Sequence, residues 1–247
     1  MINTAAMSTA TALRAPGQFR SLLHAVHPRQ ALAFAVVVGL LVALMGRPAR
    51  EVLTAAVAVL VAQLIMGLVN DVFDAEVDRR SGATGKPVAE GLIPSGNASF
   101  AIAVLLLLVL PLSLQNGTAA GLFLLSTLVV GFVHNRWLHH TAFSWVGWVA
   151  TFALLPYFVT LGGWGHEADG SAPLTTFVLL CAVLGFLVHF LTSLPDLVID
   201  NAAKVRSLPL RVALRTGAPR LLIVTLVATA AVVVALVISA LSTGIAP

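Results

Sequence analysis

The chain has 247 residues, of which 59% are hydrophobic and only 10% charged, and its mean hydropathy is +0.99. Soluble domains carry about a quarter charged residues, so a water-soluble globule is excluded and a membrane protein is indicated. The net charge of +4 does not point to nucleic acid: only two of the fourteen cations are Lys and no basic run occurs, so the excess is read as membrane orientation.

Residues 1–29 read as a cytoplasmic N-terminal segment with Arg14, Arg20 and Arg29 and no long apolar core. A short interfacial helix is expected around Phe19 to Val26, with Leu22, Leu23 and Val26 toward lipid. Residues 30–247 read as a single transmembrane domain. Apolar runs at 30–46, 52–73, 98–114, 117–134, 143–163, 174–195 and 219–243 predict seven spanning helices, hence an all-α polytopic bundle. The single Cys, Cys181, falls in the sixth run and excludes a disulfide framework or a cysteine-built metal site.

Twelve of the fourteen Lys and Arg fall in the N-terminus and the 74–97, 135–142 and 196–218 loops with their edges; the opposite side holds only Arg47 and Arg50. The positive-inside rule therefore puts the N-terminus in the cytoplasm of a cell (inner) membrane protein. The 164–173 loop, with His166, Glu167 and Asp169 but no Lys or Arg, is expected outside.

Four of the ten acids stand in Asn70-Asp71-Val72-Phe73-Asp74-Ala75-Glu76-Val77-Asp78, and two more in Pro195-Asp196-Leu197-Val198-Ile199-Asp200. Both clusters fall at the cytoplasmic exit of an inward-running helix. That end is the C-terminus, where the macrodipole disfavours acids. Spacing of four stacks Asp74 with Asp78, and Asp196 with Asp200. A divalent cation would reverse the sign of that repulsion. Carboxylates without Cys or a tight His pair favour Mg²⁺ completed by substrate phosphates, so two such pairs with Lys and Arg nearby describe a diphosphate site.

The clusters share a register. Asp74 to Asp196, Asp78 to Asp200 and Pro87 to Pro209 are each 122 residues apart, the sign of an internal repeat that would place a site at its interface. Gln63, Asn70 and the first aspartates form one polar stripe with Gly67 permitting close approach; His189, Thr192 and the second aspartates form another. His189 alone reads as a satisfied interior histidine. Pro195 is expected to kink its helix. Phe152, Tyr157 and Phe158 read as packing, or as ring faces lining a cavity for an allyl cation.

Asn70-Asp71-x-x-Asp74-x-x-x-Asp78 followed by Gly85-Lys86-Pro87-Val88 resembles the first signature of the UbiA-type intramembrane prenyltransferases. Leu194-Pro195-Asp196-x-x-x-Asp200 with Lys204-Val205-Arg206-Ser207-Leu208-Pro209 is similar to the second. His27-Pro28-Arg29-Gln30 and the stretch from His134 to Thr141 extend the likeness over about residues 20 to 243. The resemblance implies a helical bundle around a central cavity open to lipid. Two Mg²⁺ ions would hold an isoprenyl diphosphate, whose ionisation gives an allyl cation that alkylates a lipophilic or aromatic acceptor. By position, Asn70, Asp71, Asp74 and Asp78 would serve one ion and Asp196 and Asp200 the other. Lys86, Lys204 and Arg206 would neutralise the leaving diphosphate.

Two departures stand out. His134 and His139 occupy places where the family usually has Tyr and Lys, and a protonated His there would donate to diphosphate. The family normally has nine spans. By the 122-residue spacing the partner of the fourth run should begin near residue 240, where this sequence ends in Ser242-Thr243-Gly244-Ile245-Ala246-Pro247. A second subunit, identical or not, would then close the cavity, or its wall is open, or the gene product is shortened. A Mg²⁺-dependent prenyltransferase is the leading reading. Ring closure without an acceptor, and a non-catalytic protein that binds a prenyl lipid or assists a partner enzyme, are the alternatives.

Overall fold

The computed structural model describes residues 17–164 and 170–245, so Arg14 and the trio His166, Glu167 and Asp169 lie outside the described residues. With no water at membrane depth, an apolar segment must satisfy its backbone within itself, and helices do so. The described chain is helical: α1 Gln18–Ala25, α2 Pro28–Leu44, α3 Ala49–Ser81, α4 Ser95–Leu114, α5 Thr118–Val133, α6 Ser144–Thr160, α7 Thr175–Ser193, α8 Leu197–Ala202, α9 Leu208–Thr216 and α10 Ala218–Ser242. A π-helical turn, His134–Leu138, follows α5, and a 3₁₀ turn, Leu194–Asp196, separates α7 from α8.

Each of the seven apolar runs coincides with one helix, but seven spans do not follow. Five helices are long and apolar enough to cross a membrane, or six if α1 and α2, bent by 51°, count as one. With 17 residues, α6 is shorter.

Consecutive helices from α2 to α7 pack as neighbours, α10 lies against α7, and α2 also touches α6. The main core surrounds α3: Ala55, Ala58, Val59, Ala62 and Ile65 meet Val38 and Val42 of α2, Val109 of α4, Leu124 of α5 and Phe158 of α6. Small side chains on α3 let its neighbours approach closely. A smaller core joins Phe190, Leu197, Leu210, Ala213 and Leu221 from α7 to α10. Among the aromatics, Phe158 is buried in the main core, Tyr157 stacks on Phe123 at 4.6 Å and Phe152 meets Phe34 edge-on at 5.3 Å, so all three pack against protein.

At the N-terminal side, α1 is the expected short helix, but its lipid face differs. Phe19 and Leu23 are exposed, whereas Leu22 and Val26 pack on a core with Leu68, Ala75 and Val88. Gly67 explains the inward turn: a Cβ there would stand 2.7 Å from the Val26 carbonyl oxygen, so only glycine admits the end of α1.

At the end of the bundle away from the aspartates, Arg47 pairs with Glu51 at 2.9 Å with both side chains largely buried. The Arg47 guanidinium also donates to the Val159 carbonyl at 3.4 Å, and Arg50 lies over the Trp164 ring. The two cations counted on that side are thus tied to the fold.

Candidate active site at the converging aspartate motifs

Helix α3 continues through the whole first motif and stops two turns later than its apolar run. Its end has the Schellman pattern: Gly82 adopts φ 68, Ala83 N–H donates to Asp78 C=O at 3.0 Å and Gly82 N–H to Arg79 C=O at 3.4 Å. The second motif ends the same way. Lys204 adopts φ 58, Val205 N–H donates to Asp200 C=O at 2.9 Å and Lys204 N–H to Asn201 C=O at 3.2 Å. Each motif's last aspartate therefore sits at the same place in the same cap, 122 residues apart. Beyond the caps, α4 begins at Ser95 and α10 at Ala218, one residue off that spacing. The internal repeat is thereby visible in the backbone.

Between these caps the motifs differ. Pro195 lacks an N–H, and the helix tightens to a 3₁₀ turn at Leu194–Asp196, yet α7 and α8 form one apolar span, Thr175–Ala202. Asp74 and Asp78 near the end of α3, and Asp196 and Asp200 near the end of that span, all lie toward a helix C-terminus.

Asp71 is fully buried and accepts from the Val88 N–H at 3.1 Å, which fastens the Lys86-Pro87-Val88 turn to α3. Its other oxygen, Oδ1, is buried without a hydrogen-bond partner. The turn aims Lys86 back at the motif: Nζ is 3.4 Å from Asn70 Oδ1 and 3.6 Å from Asp78 Oδ2. Asn70 Nδ2 donates to Asp74 Oδ2 at 2.7 Å, holding that buried carboxylate along the helix face.

The second motif lies close by. Asp200 is within electrostatic reach of Asp196, His140, Asp74 and Asp78, and His27 of Lys86, Asp71 and Asp196. Lys204 and Arg206 are exposed on the strap between α8 and α9, and the Arg206 N–H donates to the His140 C=O at 3.0 Å. That bond ties the strap to the histidines after α5. The structure thus gathers both motifs, Lys86 and the histidine stretch, while among the described residues the Lys204 and Arg206 side chains make no ion pair with a carboxylate.

The histidines form a stacked series. The His139 N–H donates to the His134 C=O at 2.8 Å, the wide register of the π turn, and this brings two consecutive imidazoles onto Asp74. His139 Nδ1 is 3.4 Å from Asp74 Oδ2, and His140 Nε2 is 3.6 Å from Asp74 Oδ1. His140 stacks on His139 at 4.8 Å, and His134, buried, stacks behind His139 at 5.4 Å. Gly147 makes room for His134, since a Cβ there would lie 2.6 Å from the histidine Cβ. Burial, reinforced by His140 and Lys86, pushes His139 down to about 3. His189 is a satisfied interior histidine, as expected, 2.9 Å from Ser144 Oγ, which in turn accepts from the Leu208 N–H at 3.1 Å.

Sequence reasoning missed His140 as a site residue and Ser144 as the joint between α6, α7 and α9. Adjacency to His139 was the available signal for the first; nothing local marks the second. A depression of about 540 Å³ lined by Leu114, Gly117, Leu161 and Trp164 lies at the opposite end of the helices and is not this site.

A sequence profile of the UbiA prenyltransferase family matches residues 31–247. No curated protein matches significantly. Among solved structures the chain is similar to a UbiA homologue from Archaeoglobus fulgidus, determined with GPP and Mg²⁺ and with DMAPP and Mg²⁺. Each has a TM-score of 0.68 at 16% identity, covering 87% of this chain and 75% of that one. A structure concerned with digeranylgeranylglyceryl phosphate synthase in membranes has a TM-score of 0.59 at 19% identity, covering 91% and 77%. At these identities the likeness establishes the fold. Long apolar helices in that fold make this an integral membrane protein. With the profile running from α2 to the last residue, through both aspartate motifs, the chain belongs to the UbiA prenyltransferase family.

Proposed function

We propose that the chain is a Mg²⁺-dependent prenyltransferase that moves an isoprenyl group from an isoprenyl diphosphate to a lipophilic or aromatic acceptor at the cytoplasmic face of the membrane. The observation that carries this reading is the convergence of two carboxylate motifs with Lys86 between Asn70 and Asp78. The diphosphate and Mg²⁺ bound by the Archaeoglobus fulgidus homologue support it.

The donor set fits Mg²⁺. Its oxygens are hard, and one of them, Asp71 Oδ1, is buried without a hydrogen-bond partner among the described residues. Asp71, Asp74 and Asp78 would serve one ion, and Asp196 and Asp200 the other. Mg²⁺ held by these carboxylates would supply charge neutralisation to the departing diphosphate.

The chain's own groups then divide the work. Asp71 holds the turn that carries Lys86, so the ammonium stays at the site where leaving-group charge appears. Lys204 and Arg206, exposed on their strap, add charge from the other side. His139, backed by His134, offers one neutral N–H to a phosphate oxygen. The apolar bundle keeps water from the cation.

Purified protein in detergent is expected to release pyrophosphate from geranyl, farnesyl or geranylgeranyl diphosphate with Mg²⁺. Asp74→Asn should lower the rate by about a hundredfold or more. Absence of release across that panel by a folded protein refutes the reading. Cyclised products without added acceptor would redirect it to ring closure.

A further inference from the structure

We propose that Asp74, His139 and His140 form a binding site for a borderline divalent ion of the Zn²⁺ class, which shares Asp74 with the first of the Mg²⁺ positions. One ligand atom from each residue lies within 4.8 Å of the other two. His139 Nδ1 lies 3.4 Å from Asp74 Oδ2 and His140 Nε2 3.6 Å from Asp74 Oδ1. Bonds of about 2.0–2.1 Å to a tetrahedral ion put neighbouring ligand atoms about 3.3 Å apart, so side-chain rotation without backbone movement closes the site.

The surroundings favour an ion over a simple ion pair. His139 Nδ1 is buried, aims at the carboxylate and has no hydrogen-bond partner. The His139 and His140 rings stack at 4.8 Å, so their nitrogens are presented side by side to Asp74. His139 Nδ1 and His140 Nε2 both turn toward the Asp74 carboxylate, and two ring nitrogens converging with a carboxylate make a donor set for a cation.

The supports of a metal site are also present. Asn70 orients the Asp74 carboxylate at 2.7 Å, His134 backs the His139 ring, and the His140 carbonyl is held by the Arg206 N–H at 3.0 Å. Imidazole nitrogens suit Zn²⁺, Co²⁺ or Ni²⁺ and are poor partners for Mg²⁺. Three protein ligands leave a fourth position open, the arrangement that takes water or a substrate oxygen. Asp74 is thereby shared between the histidines and the first motif, while Asp78 stays with Lys86.

The inference does not rest on the transferase reading, because ion binding is measured without substrate. Protein purified on a histidine-free tag and stripped with chelator is titrated with Co²⁺ and followed by visible absorption. The expected result is one equivalent of Co²⁺ with a ligand-field band of low-coordinate N/O type. Zn²⁺ removes the band, whereas Mg²⁺ at about a thousandfold excess does not. His139→Asn and His140→Asn should each weaken Co²⁺ by at least about tenfold, while His24→Asn leaves it unchanged. No band, equal displacement by Mg²⁺, or an unchanged titration in a folded His140→Asn variant overturns the proposal. The Zn²⁺-against-Mg²⁺ competition decides it on the unmutated chain if a variant fails to fold. Failure here leaves pyrophosphate release untouched, and failure of pyrophosphate release leaves the titration untouched.

Discussion

Lys204 holds a left-handed backbone position, φ 58, that Gly82 occupies at the matching place after the first motif. A residue with a Cβ is strained there by about 1–2 kcal/mol, and glycine is not. Keeping a lysine at that cost is understandable if its ammonium is used, since strain of this kind concentrates at functional sites. Lys204→Gly is therefore expected to raise stability by up to about 1 kcal/mol, after the entropy that glycine adds to the unfolded chain. The same variant should raise the KM for the diphosphate. A thermal-unfolding midpoint and a pyrophosphate-release curve on the same preparation check both halves; a variant no more stable, or equally active, removes the argument. Asp71 makes a different point at this scale. By motif it is a ligand, yet one of its oxygens is committed to the Val88 N–H, so its share in Lys86 placement is structural.

Between elements, Ser144 is a joint. Its Oγ pairs with His189 of α7 in a buried bond and accepts from the Leu208 N–H at the start of α9 in a partly buried one. Ser144→Ala leaves a buried imidazole and a backbone N–H without partners, a loss of about 1–3 kcal/mol for each group left unsatisfied. The expected outcome is a lower unfolding midpoint, with faster proteolysis in the 203–208 strap than in the α4–α5 turn. Uniform loosening would show that the joint is not local. The helices themselves were legible from their apolar runs, because hydropathy over a turn or more is a local property. The break at Pro195 was legible too. Its form was not: a single 3₁₀ turn carries α7 into α8 within one span.

For the whole molecule, orientation is the open physical quantity. Twelve cations against two favour a cytoplasmic motif end, and the two on the other side, Arg47 and Arg50, are held by Glu51 and Trp164. In a Cys181→Ala background, a cysteine at Thr84 should react with impermeant maleimide only after the membrane is opened. A cysteine at Thr118 should react in intact cells. The reverse pattern would invert the protein in the bilayer. The last helix, α10, packs on α7 and α9 but leaves Ile223, Val227, Val234 and Leu241 exposed, a face suited to lipid.

Membrane residence, the helices and both aspartate motifs follow from the sequence alone. Bilayer thickness fixes how long an apolar run must be, and a motif of fixed spacing on a helix fixes which side chains share a face. The repeat of 122 residues was readable for the same reason, and the shared Schellman caps give it a structural meaning. Tertiary structure alone decided which way Val26 turns, which carboxylate clamps the Lys86 turn, and that His139 and His140 both meet Asp74. These are contacts between segments far apart in the chain, set by how α3 and the π turn rotate and pack. Periodicity records the face a residue occupies on its own helix and carries no information about what stands opposite it.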